Sequence, residues 1–301
     1  MEIKLASAPV CWGVILKDTP GVPPYKKVLN EIKEAGYTGT ELGPIGYLPL
    51  DTGQLRDELA ERDLTLISAY VPINFIDPQA RKQEYDEGWT VARHLNEMGC
   101  EWVVLSDALF VVENRNKRAG RIRPEDGLDE AGWDVFAKNV EDFARKIYEE
   151  LGLKSVFHPH VGAYVETPQE IDALLTRTDP ALVGLCLDTA HVMYGGGDPI
   201  ALCKRWGERV SYLHLKECDG AKLEEVRANQ WDYFKGVEIG VFPELGQGSV
   251  NFADLLVVLK ELDFSGWATV EQDILPESGA DPLASGQRNL AYLKQLGYVT
   301  N

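Results

Sequence analysis

The sequence predicts a single (β/α)8 barrel that spans residues 1–301. Short apolar, β-branched runs alternate along the chain with longer segments whose apolar residues recur at spacings of three and four. Eight such pairs of similar length follow one another without a long linker, and 301 residues suffice for one large barrel with insertions. A doubly wound open sheet is the alternative fold, but eight similar units favour closure.

The predicted strands cover residues 3–10, 38–42, 64–71, 102–107, 153–159, 183–188, 210–216 and 267–272. The predicted helices follow them at 24–35, 52–62, 79–98, 129–151, 167–177, 198–206, 251–262 and 283–296. Capping residues support several of these helices. Gly36 and Gly99 stand where a helix should end, and Thr167, Pro168 and Glu170 match an N-cap, a first-turn proline and a capping-box acid.

Two long irregular segments, 108–127 and 218–248, follow the fourth and the seventh predicted strand. In a barrel the connections from strand to helix form the C-terminal face, where active sites are built. The second segment is rich in aromatic and glycine residues, which suits a loop that covers a site and excludes water. A surface loop without a function is the alternative explanation.

Composition and charge restrict the class of protein. A content of 45% hydrophobic and 26% charged residues is typical of a soluble globular protein. The net charge of −18 and the lack of a basic cluster disfavour nucleic acid and anionic membranes as partners. Five scattered cysteines without a CxxC pair predict reduced thiols in the cytoplasm. We expect no secretory signal, because Pro9, Trp12 and Gly13 interrupt the apolar segment 5–16.

Four of the five histidines lie between residues 158 and 214, at the ends of three successive apolar runs, and the eighth run also ends on acids. Neighbouring parallel strands end at one face, so these side chains should surround a small volume. Imidazole and carboxylate groups together are what a divalent cation such as Mn, Co, Zn or Fe prefers. The sequence therefore predicts a metal-assisted enzyme. The residues concerned are His158, His160, Asp188, His191, His214 and Glu271.

Several of these positions also have a purely structural explanation. An aspartate before a helix, such as Asp188, is usually an N-cap, and a lone histidine is usually a satisfied core residue. Glu166 either bends back toward the barrel mouth or only adds first-turn charge to the next helix, and the spacing leaves both open. His214 and Lys216 share one face of an alternating strand and need polar partners there. Glu41, at the end of the second strand, adds another acid to the mouth.

Six motifs together carry a resemblance that runs nearly end to end. They are CWG (11–13), YTGTELGP (37–44), VFHPHVGAYVET (156–167), GLCLDTAH (184–191), HLKE (214–217) and GWATVEQD (266–273). This set resembles the xylose-isomerase-like TIM-barrel superfamily, most of all its inosose dehydratase branch. The HPH and VET elements are more specific than DxxH or HLK, which epimerases, isomerases and endonuclease IV relatives share.

The resemblance implies one divalent metal ion, held by Glu, Asp, His and Glu from strands five to eight. Asp188, His214 and Glu271 match three of these ligands. Strand five ends in histidines where relatives often have Glu, so Glu166 is assigned as the first ligand, with His158 as the alternative. Among the candidate ions for this site, we prefer Mn or Co over Zn or Mg.

The same resemblance implies dehydration of a cyclic polyol ketone, 2-keto-myo-inositol (inosose), through an enediolate stabilised by the metal. Lys216 is expected near the developing oxyanion, and Glu41 is a candidate base. The expected catalytic residues are Glu166, Glu271, Lys216, His191 and Glu41, and the expected substrate contacts are His158, His160, Trp12, His191 and Lys216.

Three other functions are alternatives. A sugar isomerase or ketose epimerase uses the same intermediate. A nuclease would need more histidines and a basic groove. A non-catalytic sugar-binding barrel would not need so many ionisable groups at one mouth. Homo-oligomers are expected by analogy with similar barrels alone.

Overall fold

A computed structural model of the protein describes residues 2–76, 81–109 and 111–298. Its strands are β1 (Ile3–Ser7), β2 (Gly39–Glu41), β3 (Thr65–Ser68), β4 (Tyr70–Ile73), β5 (Trp102–Asp107), β6 (Lys154–Phe157), β7 (Val183–Asp188), β8 (Val210–Lys216) and β9 (Gly266–Glu271). They form one parallel sheet in the order β3-β2-β1-β9-β8-β7-β6-β5-β4.

The sheet closes because β3 and β4 are two halves of one barrel strand, separated only by Ala69. β3 pairs with β2 on one side, and β4 pairs with β5 on the other. The Ala69 carbonyl accepts a hydrogen bond from the Val104 N–H at 3.1 Å, which carries the pairing across the break. Nine segments therefore make eight barrel strands. The (β/α)8 prediction is confirmed, and the open-sheet alternative is wrong.

The α-helices are α1 (Tyr25–Ala35), α2 (Thr52–Ala60), α3 (Arg81–Met98), α4 (Glu113–Lys117), α5 (Glu130–Leu151), α6 (Pro168–Arg177), α7 (Thr189–Tyr194), α8 (Pro199–Trp206), α9 (Gly220–Asn229), α10 (Tyr233–Glu238), α11 (Phe252–Glu261) and α12 (Pro282–Leu296). All eight predicted helices are present, although residues 79 and 80 of the predicted 79–98 helix lie outside the described residues. The Thr167 capping box and the left-handed Gly36 C-cap are confirmed. No helix in the described ranges is both long and apolar enough to cross a membrane.

The prediction of irregular structure in the two long segments is wrong in part, because short helices lie in both. α4 lies in 108–127, and α9 and α10 lie in 218–248. Aspartates cap α9 and α10: Asp219 accepts from the Ala221 and Lys222 N–H groups, and Asp232 accepts from the Lys235 N–H. The short helices α4 and α10 show too few turns for an apolar periodicity to identify them, and α9 buries only Leu223 and Val226.

The barrel interior has an apolar layer and a polar layer. Six buried side chains from different strands form the apolar layer: Ala6, Ile67, Val104, Val156, Cys186 and Tyr212. Tyr212 also marks the boundary, because its hydroxyl lies 2.8 Å from Glu41 Oε1 and 3.1 Å from Ser68 Oγ. Above it, toward the C-terminal ends of the strands, the interior is polar. The larger apolar core lies between the sheet and the surrounding helices.

Buried ionisable side chains hold the long segments in place. The fully buried Arg115 of α4 donates to both carboxylate oxygens of Glu170 at 2.8 and 2.7 Å. Glu166 accepts the N–H groups of Gly120 and Gly162, each at 2.7 Å. These bonds join the segment after β5 to the segment after β6.

Glu217 likewise holds in place the second long segment, here taken as 218–250 so that it includes Val250. Its buried carboxylate accepts the N–H groups of Cys218, Gly246 and Val250 at 2.9 to 3.0 Å. Because these donors stand at both ends of the segment, one side chain fixes its start and its return.

Arg115→Ala should lower the free energy of unfolding by about 3–5 kcal/mol, because it leaves the buried Glu170 carboxylate without its charged partner. Lys138→Ala is the control: it removes an exposed i,i+4 pair with Asp142 and should change the free energy by less than about 0.5 kcal/mol. Urea unfolding followed by circular dichroism measures both. Equal effects would show that the buried pair does not hold the segment.

Glu166→Gln should change how stability depends on pH. Burial raises the pKa of Glu166 from its usual 4.5 to about 8, so the folded state binds a proton that the unfolded state releases. This contribution to stability is complete below pH 4.5 and is lost as the pH rises to about 8, by at most about 1.4 kcal/mol per pH unit. Glutamine mimics the protonated acid and lacks this loss. Urea unfolding at pH 5, 6.5 and 8 should therefore show the wild type losing stability relative to the variant; parallel curves would contradict it.

Candidate functional site

Four buried side chains from the ends of adjacent strands converge inside the barrel mouth. His158 follows β6, Asp188 ends β7, His214 lies in β8 and Glu271 ends β9. Asp188 pairs in register with His214, which places the two side chains side by side. One potential ligand atom from each of the four residues lies within 4.8 Å of the others.

The geometry within this cluster fits a bound cation. His214 Nδ1 lies 3.2 Å from Glu271 Oε2 and 3.7 Å from Asp188 Oδ2, and it has no hydrogen-bond partner among the described residues. His158 Nε2 lies 3.3 Å from Asp188 Oδ2. Two imidazoles and two carboxylates form the mixed donor set that a borderline divalent ion takes.

Glu41 orients the His214 ring from below. Its Oε1 accepts hydrogen bonds from His214 Nε2 at 3.0 Å and from Tyr212 and Thr269, each at 2.8 Å. A carboxylate can only accept here, so Nε2 donates and Nδ1 faces the other two acids. This geometry does not favour the predicted role of Glu41 as the catalytic base. Its acceptor oxygen already has three donors, and it lies beneath the ligands with 2% exposure.

The anionic neighbours also decide the charge of His214. Burial opposes the charged ring, but surrounding groups that include Glu271 and Glu41 outweigh burial and raise the pKa of His214 well above its usual range. This position therefore attracts positive charge, and a metal ion can supply that charge in place of the proton.

Lys216 lies at the centre of the same acids. Its Nζ is 2.9 Å from Glu271 Oε2, 3.4 Å from Asp188 Oδ2, 3.0 Å from Asp273 Oδ1 and 3.2 Å from His191 Nε2. Burial disfavours its charge, but Asp188, Asp273 and Glu271 raise the pKa of Lys216 well above its usual range. It therefore remains an ammonium group.

The balance of buried charge is negative around this lysine. Glu41, Asp188, Glu271 and Asp273 are all buried, and Lys216 is the basic residue that contacts three of them. Buried anions need compensation. A divalent cation at the four-residue cluster would provide it, which is a second reason why these residues fit a metal.

His160 and His191 stand beside the cluster with their ring centroids 3.8 Å apart. His160 Nδ1 lies 2.7 Å from the Val161 carbonyl, so this nitrogen carries the proton and Nε2 is an acceptor. Burial lowers the pKa of His160 to about 3 and that of His191 well below its usual range. Both rings are neutral and suited to contact hydroxyl groups.

Two of the predicted site residues lie elsewhere. Glu166, assigned as the first metal ligand, lies outside the cluster, because its carboxylate accepts two backbone N–H groups; the alternative, His158, is in the cluster. Trp12, a predicted substrate contact, is buried in the outer core and donates its only polar hydrogen to Glu31 of α1 at 2.7 Å. It has no polar group left for a substrate.

Sequence reasoning missed three residues of the site. Asp273 lies two residues after Glu271, and the period of two along a strand was a signal for it. Tyr233 of α10 donates to Asp273 Oδ2 at 2.5 Å, and the Phe242 ring centroid lies 5.5 Å from Lys216 Nζ. Both aromatic residues come from the segment 218–248, where composition predicted a cover but no individual contact.

Comparison with known proteins places the chain in a family. The model of the "xylose isomerase-like TIM barrel" family matches residues 29–296. An inosose dehydratase of Geobacillus kaustophilus is 32% identical, over 97% of this chain and 94% of that protein. The rhizopine catabolism protein MocC of Rhizobium meliloti is also 32% identical, over 97% of this chain and 88% of that protein.

Solved structures support the fold. The probable 3-DHS dehydratase AsbF of Bacillus anthracis superposes with a TM-score of 0.69 at 13% identity, over 97% of this chain and 98% of that chain. The family match covers most of the chain, and similarity to inosose dehydratases runs along nearly all of it. The chain therefore belongs to the xylose isomerase-like TIM barrel family, and its full-length similarity to inosose dehydratases makes it an enzyme of the hydro-lyase type.

Proposed function

We propose that the protein removes water from an inosose, a cyclic polyol ketone, with the help of one divalent metal ion. The observation that carries this proposal is the cluster of His158, Asp188, His214 and Glu271 beside the Lys216 ammonium group. The names of the most similar relatives favour this substrate class. A small polyol ketone in the cytoplasm also agrees with a chain of net charge −18, which disfavours nucleic acid.

In this proposal His158 replaces Glu166 as the strand-five ligand, and Asp188, His214 and Glu271 complete the set. The chemistry that a bound divalent ion supplies here is Lewis-acid polarisation of a ketone oxygen. A set with two imidazoles favours Mn, Co or Zn over Mg, and we prefer Mn or Co.

The chain's own residues supply the rest of the chemistry. Lys216 places a fixed positive charge beside the ligands, where negative charge develops on the ketone oxygen as an enediolate forms. His160 Nε2 and the Asp273 carboxylate are the proton acceptors that neither bind the metal nor lie beneath it. One of them takes the proton from the carbon beside the carbonyl. His191 lies between Lys216 and His160 and contacts substrate hydroxyls.

Asp188→Ala, Glu271→Ala and His158→Ala should each lose the bound metal, because each removes one ligand. The protein should stay folded, because the two carboxylate variants reduce the excess of buried negative charge and His158→Ala does not increase it. Glu166→Gln is the matched control and should keep the metal, since Glu166 contacts backbone N–H groups instead. Elemental analysis after dialysis against a chelator measures the metal, and circular dichroism the fold. Metal retention by both carboxylate variants would refute the site, and its loss from Glu166→Gln alone would restore Glu166 as a ligand.

The Mn- or Co-loaded protein should convert inosose to a trihydroxycyclohexanedione, followed by the ultraviolet absorbance of the dione. Lys216→Met should lower kcat at least about 100-fold, because it removes the charge beside the developing oxyanion. A panel of ketoses, followed by NMR, is the comparison. Deuterium uptake into a ketose without loss of water would replace the proposal with an isomerase or epimerase. Tight binding of an unchanged sugar would replace it with a binding protein.

A further inference from the structure

The segment 218–250, which covers the site, contributes a hydroxyl group to its interior. Tyr233, in α10 of the segment 218–250, is buried and its hydroxyl lies 2.5 Å from Asp273 Oδ2. Its ring centroid lies 5.3 Å from that of His160 and 6.1 Å from that of His191. The phenol therefore lies against the histidine pair and the Asp273 carboxylate.

A dehydratase needs an acid as well as a base, because hydroxide leaves a carbon readily only when it is protonated. The two neutral histidines at this mouth are poor acids. His160 has its proton on Nδ1, bonded to the Val161 carbonyl, so Nε2 offers none. His191 accepts from Lys216 at Nε2, and a neutral imidazole N–H is far less acidic than a phenol.

Tyr70 and Lys216 are the remaining donors. The Tyr70 ring packs against the proposed ligand His158, with 5.6 Å between ring centroids, and its hydroxyl has no hydrogen-bond partner among the described residues. The surroundings of Lys216 hold its proton. Its ammonium group contacts Asp188, Glu271 and Asp273 within 3.4 Å, and three carboxylates around one cation stabilise the charged form. Tyr233 differs from both, since it is a neutral acid whose hydroxyl is held by a hydrogen bond to Asp273, which is not one of the four proposed metal ligands.

We propose that Tyr233 is a catalytic residue, the acid that protonates the departing hydroxyl of the substrate. This assignment rests on the proposed function. Asp273 holds the phenol in place between turnovers by accepting its hydrogen bond. When the phenol O–H rotates toward a substrate oxygen, Asp273 keeps Lys216 as its partner at 3.0 and 3.1 Å, so no buried carboxylate is left uncompensated.

Water leaves after the proton beside the carbonyl has been removed. The base has already removed the proton beside the carbonyl and passed it to solvent, which leaves the enediolate. As the carbonyl forms again, the carbon–carbon electron pair moves toward the neighbouring carbon, and the C–O bond there breaks with its pair on oxygen. That oxygen takes the Tyr233 proton and leaves as water. The enol that remains tautomerises to the dione, and the phenolate regains a proton from solvent.

Tyr233→Phe separates proton removal from water loss. In D2O, with the metal-loaded protein and inosose, dione formation should fall by about 10²- to 10⁴-fold, the usual contribution of a general acid. Deuterium should still enter the carbon beside the carbonyl of unreacted inosose at the wild-type rate or faster, because that step precedes the acid. NMR follows the deuterium, ultraviolet absorbance the dione, and elemental analysis the metal.

Tyr194→Phe is the matched control. Tyr194 is buried 6.4 Å from Tyr233 between ring centroids, and its hydroxyl has no hydrogen-bond partner among the described residues. It should keep wild-type rates of both processes. Dione formation by Tyr233→Phe within about threefold of wild type would overturn the assignment of Tyr233 as the general acid. So would an equal loss of exchange and dione formation, which would indicate a positioning residue. A wild-type protein that neither exchanges nor dehydrates inosose would overturn the proposed function, and the assignment of Tyr233 with it.

Discussion

The excess of buried negative charge at the barrel mouth is the constraint on which the site depends. Glu41, Asp188, Glu271 and Asp273 are buried together because parallel strands end at one face of the barrel. Anions in such a position are stable only with positive charge nearby. Lys216 supplies one positive charge, and the neighbouring acids favour a second one on the His214 ring. The ligand cluster also has the donor set to take a divalent cation.

Buried glutamates serve two purposes in this protein, and the groups around each glutamate decide which purpose it serves. Glu271 faces imidazole and ammonium groups, so its carboxylate is available to a cation. Glu166 and Glu217 face backbone N–H groups of glycine-rich segments, so their carboxylates hold loops together. Both kinds are buried, and Glu217 directly follows β8 as Glu271 ends β9. Burial and charge by themselves therefore do not distinguish a catalytic acid from a structural one.

The structural acids nevertheless contribute to the site through the loops. Glu217 joins the two ends of the segment that carries Tyr233 and Phe242, and these side chains lie over Lys216 and Asp273. Arg121 of the segment after β5 donates to the carbonyls of Val226 and Trp231, which joins the two long segments. The cover of the site is thus a packed structure whose order comes from a few buried polar contacts.

The sequence by itself determined the eight strands, their helices and the residue types at the barrel mouth, because periodicity and capping are local properties of the chain. It also placed Asp188, His214 and Glu271 at strand ends, since strand alternation is local too. Only the tertiary structure decided that His158 lies in the cluster and Glu166 outside it, that Glu41 orients a ring, and that Tyr233 meets Asp273. These outcomes depend on which N–H group, ring or carboxylate from a distant part of the chain lies beside each residue. Packing between helices and strands determines this, and spacing along the sequence does not.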